Sequence, residues 1–165
     1  MARSFDVLAK SPAGVDEILT AFGCQEYWRD RLSGGVTTLE SLSVDDKGAV
    51  SVAVTQHLGR QLLPAVVARI VPGDLALTYR EIWRPDSAGI VRGQVAVSAS
   101  GGLGSSRAEN VLAPAAAGAE LRVAIRVQVR IPVVGGQLEK TIGASLADSV
   151  PSVLDFTTGW IAENL

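Results

Sequence analysis

A chain of 165 residues that is 47% hydrophobic and 19% charged can bury a sizeable core and is read as a single domain, 1–165. A formal net charge of −2 leaves no basic excess to neutralise phosphates, which argues against a general nucleic-acid binder. One cysteine and one histidine cannot make an intrachain disulfide and offer too few ligands for a zinc site.

Met1 to Lys10 lacks the apolar run of a signal peptide, and no stretch approaches the roughly 18 uninterrupted apolar residues of a spanning helix. The expected place is therefore the cytoplasm. Arg3 to Ala9 reads as a first strand, Phe5 and Val7 alternating with Ser4 and Asp6. Ser11-Pro12 then predicts a helix start, Ser as N-cap and Pro at the first helical position. Val15, Ile18, Leu19 and Phe22 supply its apolar face, and Gly23 ends it. Gln25 to Leu32 forms a second short helix carrying Tyr27 and Trp28.

From Val36 the apolar period changes from 3.6 to 2. Val36–Val44 and Ala49–His57 pair through the turn Asp45-Asp46-Lys47-Gly48. Leu75–Trp83 and Ile90–Ser100 follow, joined at Pro85 to Gly89, then Arg107–Leu112 and Glu120–Ile131. The last of these is the plainest half-buried strand, with Leu121, Val123, Ile125, Val127 and Val129 alternating against Arg122, Arg126, Gln128 and Arg130. Three hairpins in succession make an antiparallel meander. Odd parity places Tyr79, Glu81 and Trp83 on the face that also carries Val95 and Val97. The parity of Arg107 and Glu109 stays open.

Two segments stand out. Leu62, Leu63, Val66, Val67, Ile70 and Val71 recur at helical spacing between two strands, so a short apolar helix over 62–71 is expected there. It reads first as a plug on the rim of the sheet, and otherwise as a lid (Leu63, Val66, Val67, Ile70) or as a face that meets a partner or, transiently, a membrane. The second is Gly135 to Leu165, one long helix interrupted only by Pro151, which is expected to kink it. Leu138, Ile142, Leu146, Val150, Val153, Leu154, Trp160 and Ile161 share one stripe, expected to be buried, while Asp148 and Asp155 face solvent. Glu139 falls inside the apolar sector, either as a partner of Arg126 or Arg130 or at a cavity mouth.

Catalytic motifs are weak. His57 is the sole base for any hydrolase triad and sits at a strand end, where an ordinary hydrogen-bonded role suffices. Cys24 has no neighbour that would lower its thiol pKa. Gly101-Gly102-Leu103-Gly104 lies between strands with no following Lys-Ser or Lys-Thr, so it reads as a connection and not a phosphate loop.

One strand, two helices, six antiparallel strands and a long final helix is an order that resembles the helix-grip fold of the START-like (SRPBCC) superfamily. Arg3-Ser4-Phe5, Thr55-Gln56-His57-Leu58, Leu62-Leu63-Pro64, Val71-Pro72-Gly73-Asp74 and Ile131-Pro132-Val133-Val134-Gly135-Gly136, leading to Leu138-Glu139-Lys140, are similar to an actinobacterial START-like family of unknown function. The resemblance implies an α+β fold, a curved antiparallel sheet (β-α-α-β6-α) gripping the last helix around an apolar cavity, and lipid or other hydrophobic ligands. It implies no catalytic residue, metal or cofactor.

The expected function is a binding or carrier module for a hydrophobic small molecule, lipid or polyketide-like. The expected ligand-binding residues are Tyr79, Glu81, Trp83, Val95, Val127, Leu138, Glu139, Ile142 and Leu146. Two alternatives stay open: an enzyme of polyketide cyclase/dehydratase type acting in the same cavity, and a partner-binding regulatory domain.

Overall fold

The computed structural model describes residues 2–33, 36–63, 65–71 and 73–165, with the side chains of Leu62 and Val66 outside that description. Strand β1 (Ala2–Ser11) leads into helices α1 (Val15–Phe22) and α2 (Gln25–Arg31). Strands β2 (Thr37–Val44), β3 (Val50–Leu58), β4 (Leu75–Pro85), β5 (Val91–Ala99), β6 (Gly104–Ala115) and β7 (Gly118–Val129) follow, with a short helix α3 (Ala65–Ala68) between β3 and β4. Helix α4 (Gly135–Asn164) closes the chain.

The strands form one antiparallel sheet of seven, ordered β1-β7-β6-β5-β4-β3-β2. The order follows from the alternation: each hairpin keeps its apolar residues on one face only in the observed register. In β7, Leu121, Val123, Ile125 and Val127 are buried while Arg122, Ala124 and Arg126 are exposed. β1, the earliest strand in the chain, returns to pair with β7, Phe5 opposite Ile125 and Val7 opposite Val123. This is the helix-grip arrangement, with α4 lying along β1 and β7 on the inner face.

Register aligns the inward residues in rows. One row runs Val50, Trp83, Gly93, Asn110, Val123 and Val7, and the next runs Val52, Glu81, Val95, Ala108, Ile125 and Phe5. A third runs Val54, Tyr79, Val97, Ser106 and Val127. Arg107 and Glu109 therefore project from the opposite face, where both are exposed. The core gathers at the end covered by α1, α2 and the last turns of α4, where Ile18, Phe22, Tyr27, Trp28, Leu112, Trp160 and Ile161 are buried together.

Three expectations are corrected. Ser11 does not cap α1. It closes β1 opposite Ala119, its Oγ accepts from the Ala13 N–H at 3.0 Å, and it shares a 2.6 Å hydrogen bond with Thr158 Oγ1 of α4. The helix starts at Val15, and Glu17 reaches back to accept from the Gly14 N–H at 3.0 Å. A polar side chain with a tertiary partner has outcompeted a local cap.

The 62–71 segment is not one helix. It holds a 3₁₀ turn at Arg60–Leu62 and a single α turn at Ala65–Ala68.

The phase of α4 also differs. Ile142 is 40% exposed and Leu138 only half-buried, whereas Glu139, Gly143, Leu154, Thr157, Trp160 and Ile161 are the buried face. Two contacts set that phase. Phe5 stands where any side chain on residue 143 would be, and Glu139 Oε2 accepts the Val129 N–H at 2.9 Å, where β7 ends. Asp148 and Asp155 are exposed, and α4 continues through Pro151, itself exposed. Among the described residues, no helix is long and apolar enough to cross a membrane.

Candidate functional site

Close packing normally hides every inward residue of a sheet covered by a helix. Here the middle of the sheet departs from that rule. Val91 and Leu112, toward one end, are 2% and 1% exposed, but Tyr79, Val95, Val97, Ser106 and Ala108 are only half-buried despite facing inward. The reason is a cavity of about 190 Å³ between these residues and Leu146, Ser149, Val150, Val153, Leu154 and Thr157 of α4. Phe22 and Arg31 close one end, and Glu81, Trp83 and Asn110 complete the wall.

The small residues that open α4 do not make this space. Gly143 is used up by Phe5. The space comes from the sheet curving away from the helix toward β4 and β5, while α4 stays on β1 and β7.

Polar groups cluster at the α2 end of the wall. Arg31 and Glu81 approach to 3.8 Å between Nη2 and Oε2, and Trp83 Nε1 donates to Glu81 Oε1 at 3.1 Å. Both Glu81 oxygens are thus engaged. The Arg31 guanidinium also lies 4.6 Å over the Trp28 ring, a cation–π contact, and donates to the Tyr27 hydroxyl at 3.5 Å. That hydroxyl shares a 2.6 Å hydrogen bond with Thr157 Oγ1. Burial by itself would lower the Arg31 pKa, but Glu81 and Tyr27 outweigh it and the net direction is upward. Burial raises the Tyr27 hydroxyl, against the opposing pull of Arg31. Tyr79, whose hydroxyl donates to Gln56 Oε1 at 3.0 Å, is likewise raised by burial.

Arg31, Tyr79 and Glu81 also line a second hollow of about 420 Å³ with Trp28, Leu32, Thr37, Val54 and Gln56. These three side chains are therefore the partition between the cavity and an outer groove. A third hollow, of about 340 Å³, includes Ala53, Arg80, Ile82, Gln94, Ala96 and Arg107 on the opposite face of the sheet. Arg80, Gln94 and Arg107 there are exposed side chains of an open surface.

Of the residues expected at a ligand site, the structure brings Tyr79, Glu81, Trp83, Val95 and Leu146 around the cavity. Val127 is packed in the core at 2% exposure, Leu138 and Ile142 lie off the wall, and Glu139 binds the end of β7. Leu63 and Val67 are half-buried and Ile70 is 47% exposed, and none of the three lines the cavity. The side chain of Val66 lies outside the described residues. Asn110, Ser106, Arg31 and Thr157 escaped sequence reasoning. The alternation of β7 extended across the β6 register would have found the first two.

Elsewhere among the described residues, no reactive centre stands out. His57 is exposed on β3. Burial, and then Glu26, push the Cys24 thiol up, away from nucleophilic use. Among the described residues, no cluster of His, Cys, Asp and Glu could hold a metal ion.

The curved sheet and the gripped helix make a helix-grip α+β fold, the fold of several solved structures. The chain is similar in structure to the aromatase/cyclase Zhui from Streptomyces sp. R1128, with TM-score 0.59 and 10% identity over 99% of this chain and 95% of that one. It is similar also to a START superfamily protein from Mycobacterium smegmatis, with TM-score 0.52 and 12% identity over 99% of both chains. Norcoclaurine synthase from Thalictrum flavum, in complex with dopamine and hydroxybenzaldehyde, superposes with TM-score 0.51 and 16% identity over 100% of this chain and 89% of that one.

The chain belongs to the family described as "Protein of unknown function (DUF2505)", which matches residues 6–161. An uncharacterized protein of Mycobacterium tuberculosis is 34% identical over 174 residues, spanning 100% of both chains.

Proposed function

We propose that the chain is a binding or carrier module for a hydrophobic small molecule, held in the cavity between α4 and strands β4–β7. The observation that carries this reading is the patch of inward residues from two adjacent rows, Tyr79, Val95, Val97 and Ala108, left half-buried around empty space. An apolar wall with a few placed polar groups is the ordinary composition of a small-molecule site. The volume of about 190 Å³ lies below the roughly 300–1,000 Å³ usual for such sites. The occupant is therefore a compact molecule, or one end of a lipid or polyketide-like chain with the rest leaving through the partition at Arg31 and Tyr79.

The enzyme alternative rests on Glu81, the one carboxylate in the wall. Its two oxygens are held by Trp83 and Arg31, which favours a positioning role over that of a free base.

Native mass spectrometry of protein gently extracted from cells tests the proposal. An apolar adduct on the wild-type chain, absent when Leu146→Trp fills the cavity, is the expected result. A chain that carries no adduct and gives no saturable isotherm with 2-methoxynaphthalene overturns it.

A further inference from the structure

Apart from Ser106 and Asn110, the polar side chains around the cavity are already committed. Glu81 accepts from Trp83 and faces Arg31, and Tyr79 donates to Gln56. Thr157 is bonded to Tyr27 and to the Val153 carbonyl, and Ser149 donates to the Leu146 carbonyl at 2.6 Å. Asn110 differs. It is only 6% exposed, it stands in the cavity wall, and its Oδ1 is buried without a hydrogen-bond partner. A buried amide oxygen left unpaired is costly and rare.

The neighbours across the sheet explain how the amide comes to border space at all. Asn110 pairs with Gly93, which pairs in turn with Trp83. The Trp83 indole lies over Gly93, in the volume a side chain there would take. A polar group has thus been set between an aromatic face and an apolar strand, Val123 being its other neighbour.

We infer that Asn110 is the specificity-determining residue of the cavity, its amide turning about the Cβ–Cγ bond so that the unpaired oxygen accepts from a neutral hydrogen-bond donor, a hydroxyl or N–H, on the bound molecule. The inference rests on the cavity being a ligand site, and it adds which molecules that site takes. A carboxylate head group offers this oxygen no proton, and burying its charge in an apolar wall costs more than a donation from the amide NH2 returns. Arg31 does not rescue a carboxylate, because its charge is already balanced by Glu81.

Three probes of one size separate the terms: 2-naphthol, a neutral donor; 2-methoxynaphthalene, neutral without a donor; and 2-naphthoate, an anion. Isothermal titration of the full chain near neutral pH is expected to rank 2-naphthol first, by about tenfold or more over each of the others. Asn110→Leu, which keeps the branched shape of Asn without its polar atoms, is expected to bring 2-naphthol within about twofold of 2-methoxynaphthalene while the ether still binds. Asn110→Asp, which keeps an oxygen acceptor in place, retains the preference for 2-naphthol.

Wild type that binds 2-naphthoate or the ether as tightly as 2-naphthol overturns the inference and leaves the cavity reading standing. An unchanged ranking in Asn110→Leu does the same. Failure of all three probes to bind overturns the cavity reading itself, and this inference with it.

Discussion

Phe5 of β1 occupies the volume that Gly143 of α4 leaves open. A side chain on residue 143 would collide with the ring, so the pair decides how close the helix lies to the sheet and which of its faces turns inward. Gly143→Ala removes a helix-weakening glycine, worth about 1 kcal/mol on its own. The overpacking it creates costs about 1–3 kcal/mol. The expected balance is a lower urea midpoint, with part of the loss recovered in the double variant Gly143→Ala/Phe5→Leu. A Gly143→Ala chain more stable than wild type would remove this contact as the determinant of helix phase.

Glu139 anchors the other end of the same relationship. The residue is 2% exposed and its carboxylate accepts the Val129 N–H at the end of β7. Glu139→Ala is expected to cost about 1–3 kcal/mol by orphaning that donor. Glu139→Gln, which keeps an acceptor oxygen, loses less. Chemical denaturation of the two variants side by side checks the order, and equal losses would mean that the bond to Val129 is not what matters.

These two contacts show what was legible in the sequence and what was not. The antiparallel meander and the inward parity of Tyr79, Glu81, Trp83 and Val95 follow from period-2 alternation, which a sheet buried on one face enforces, whereas the return of β1 to β7 does not. The phase of α4 does not follow from its apolar stripe. Ile142 is apolar and exposed, Glu139 charged and buried, because a backbone N–H and a phenyl ring on other elements outweigh the helix's own pattern. Asn110 was hidden for a related reason. In β6 the residues Arg107 to Asn110 mix polar, small and charged types on both faces, so nothing local says which side turns inward.

Leu146 and Leu112 allow the cavity to be weighed directly. Leu112 is 1% exposed in the packed end, while Leu146 is half-buried on the cavity wall. Truncating a packed leucine costs about 2–5 kcal/mol, rising with the void left behind. Leu112→Ala is expected near the upper end, and Leu146→Ala near about 2 kcal/mol or below, since many of its contacts are already absent. Equal losses in urea unfolding would indicate a filled interior.

The two tyrosines link stability to alkaline pH. Both have hydroxyl pKa values raised above the ordinary 10.0, burial being the first cause in each. A group that holds its proton more tightly when folded stabilises the fold below its unfolded pKa, and that contribution is lost as pH rises through the folded value. Stability is thus expected to fall above about pH 10 as the unfolded chain releases protons that the folded one retains. Tyr27→Phe, which lowers stability at pH 7 by about 1 kcal/mol through the lost bond to Thr157, is expected to flatten that alkaline slope. Ultraviolet titration of phenolate absorbance provides the independent check, and ordinary midpoints in the folded chain would cancel the prediction.

Gly93 and Trp83 connect the sheet to the cavity. The indole is 3% exposed, lies 4.9 Å from Phe22 between ring centroids, and donates to Glu81. A Cβ on residue 93 would meet its six-membered ring. The backbone of a central strand cannot retreat without breaking its ladders to β4 and β6, so the ring must move instead. Phe22 and Glu81 flank it, and the direction with space is the cavity. Gly93→Ala is therefore expected to narrow the cavity, to pull Trp83 Nε1 from Glu81 and to cost about 1–3 kcal/mol through overpacking. Binding of 2-methoxynaphthalene is expected to weaken by about tenfold or more, because the displaced ring occupies part of the ligand's volume. The Trp83 indole N–H resonance reports the lost hydrogen bond separately from the binding. A variant that keeps wild-type affinity while that resonance shifts would show that the ligand does not use the space beside Trp83.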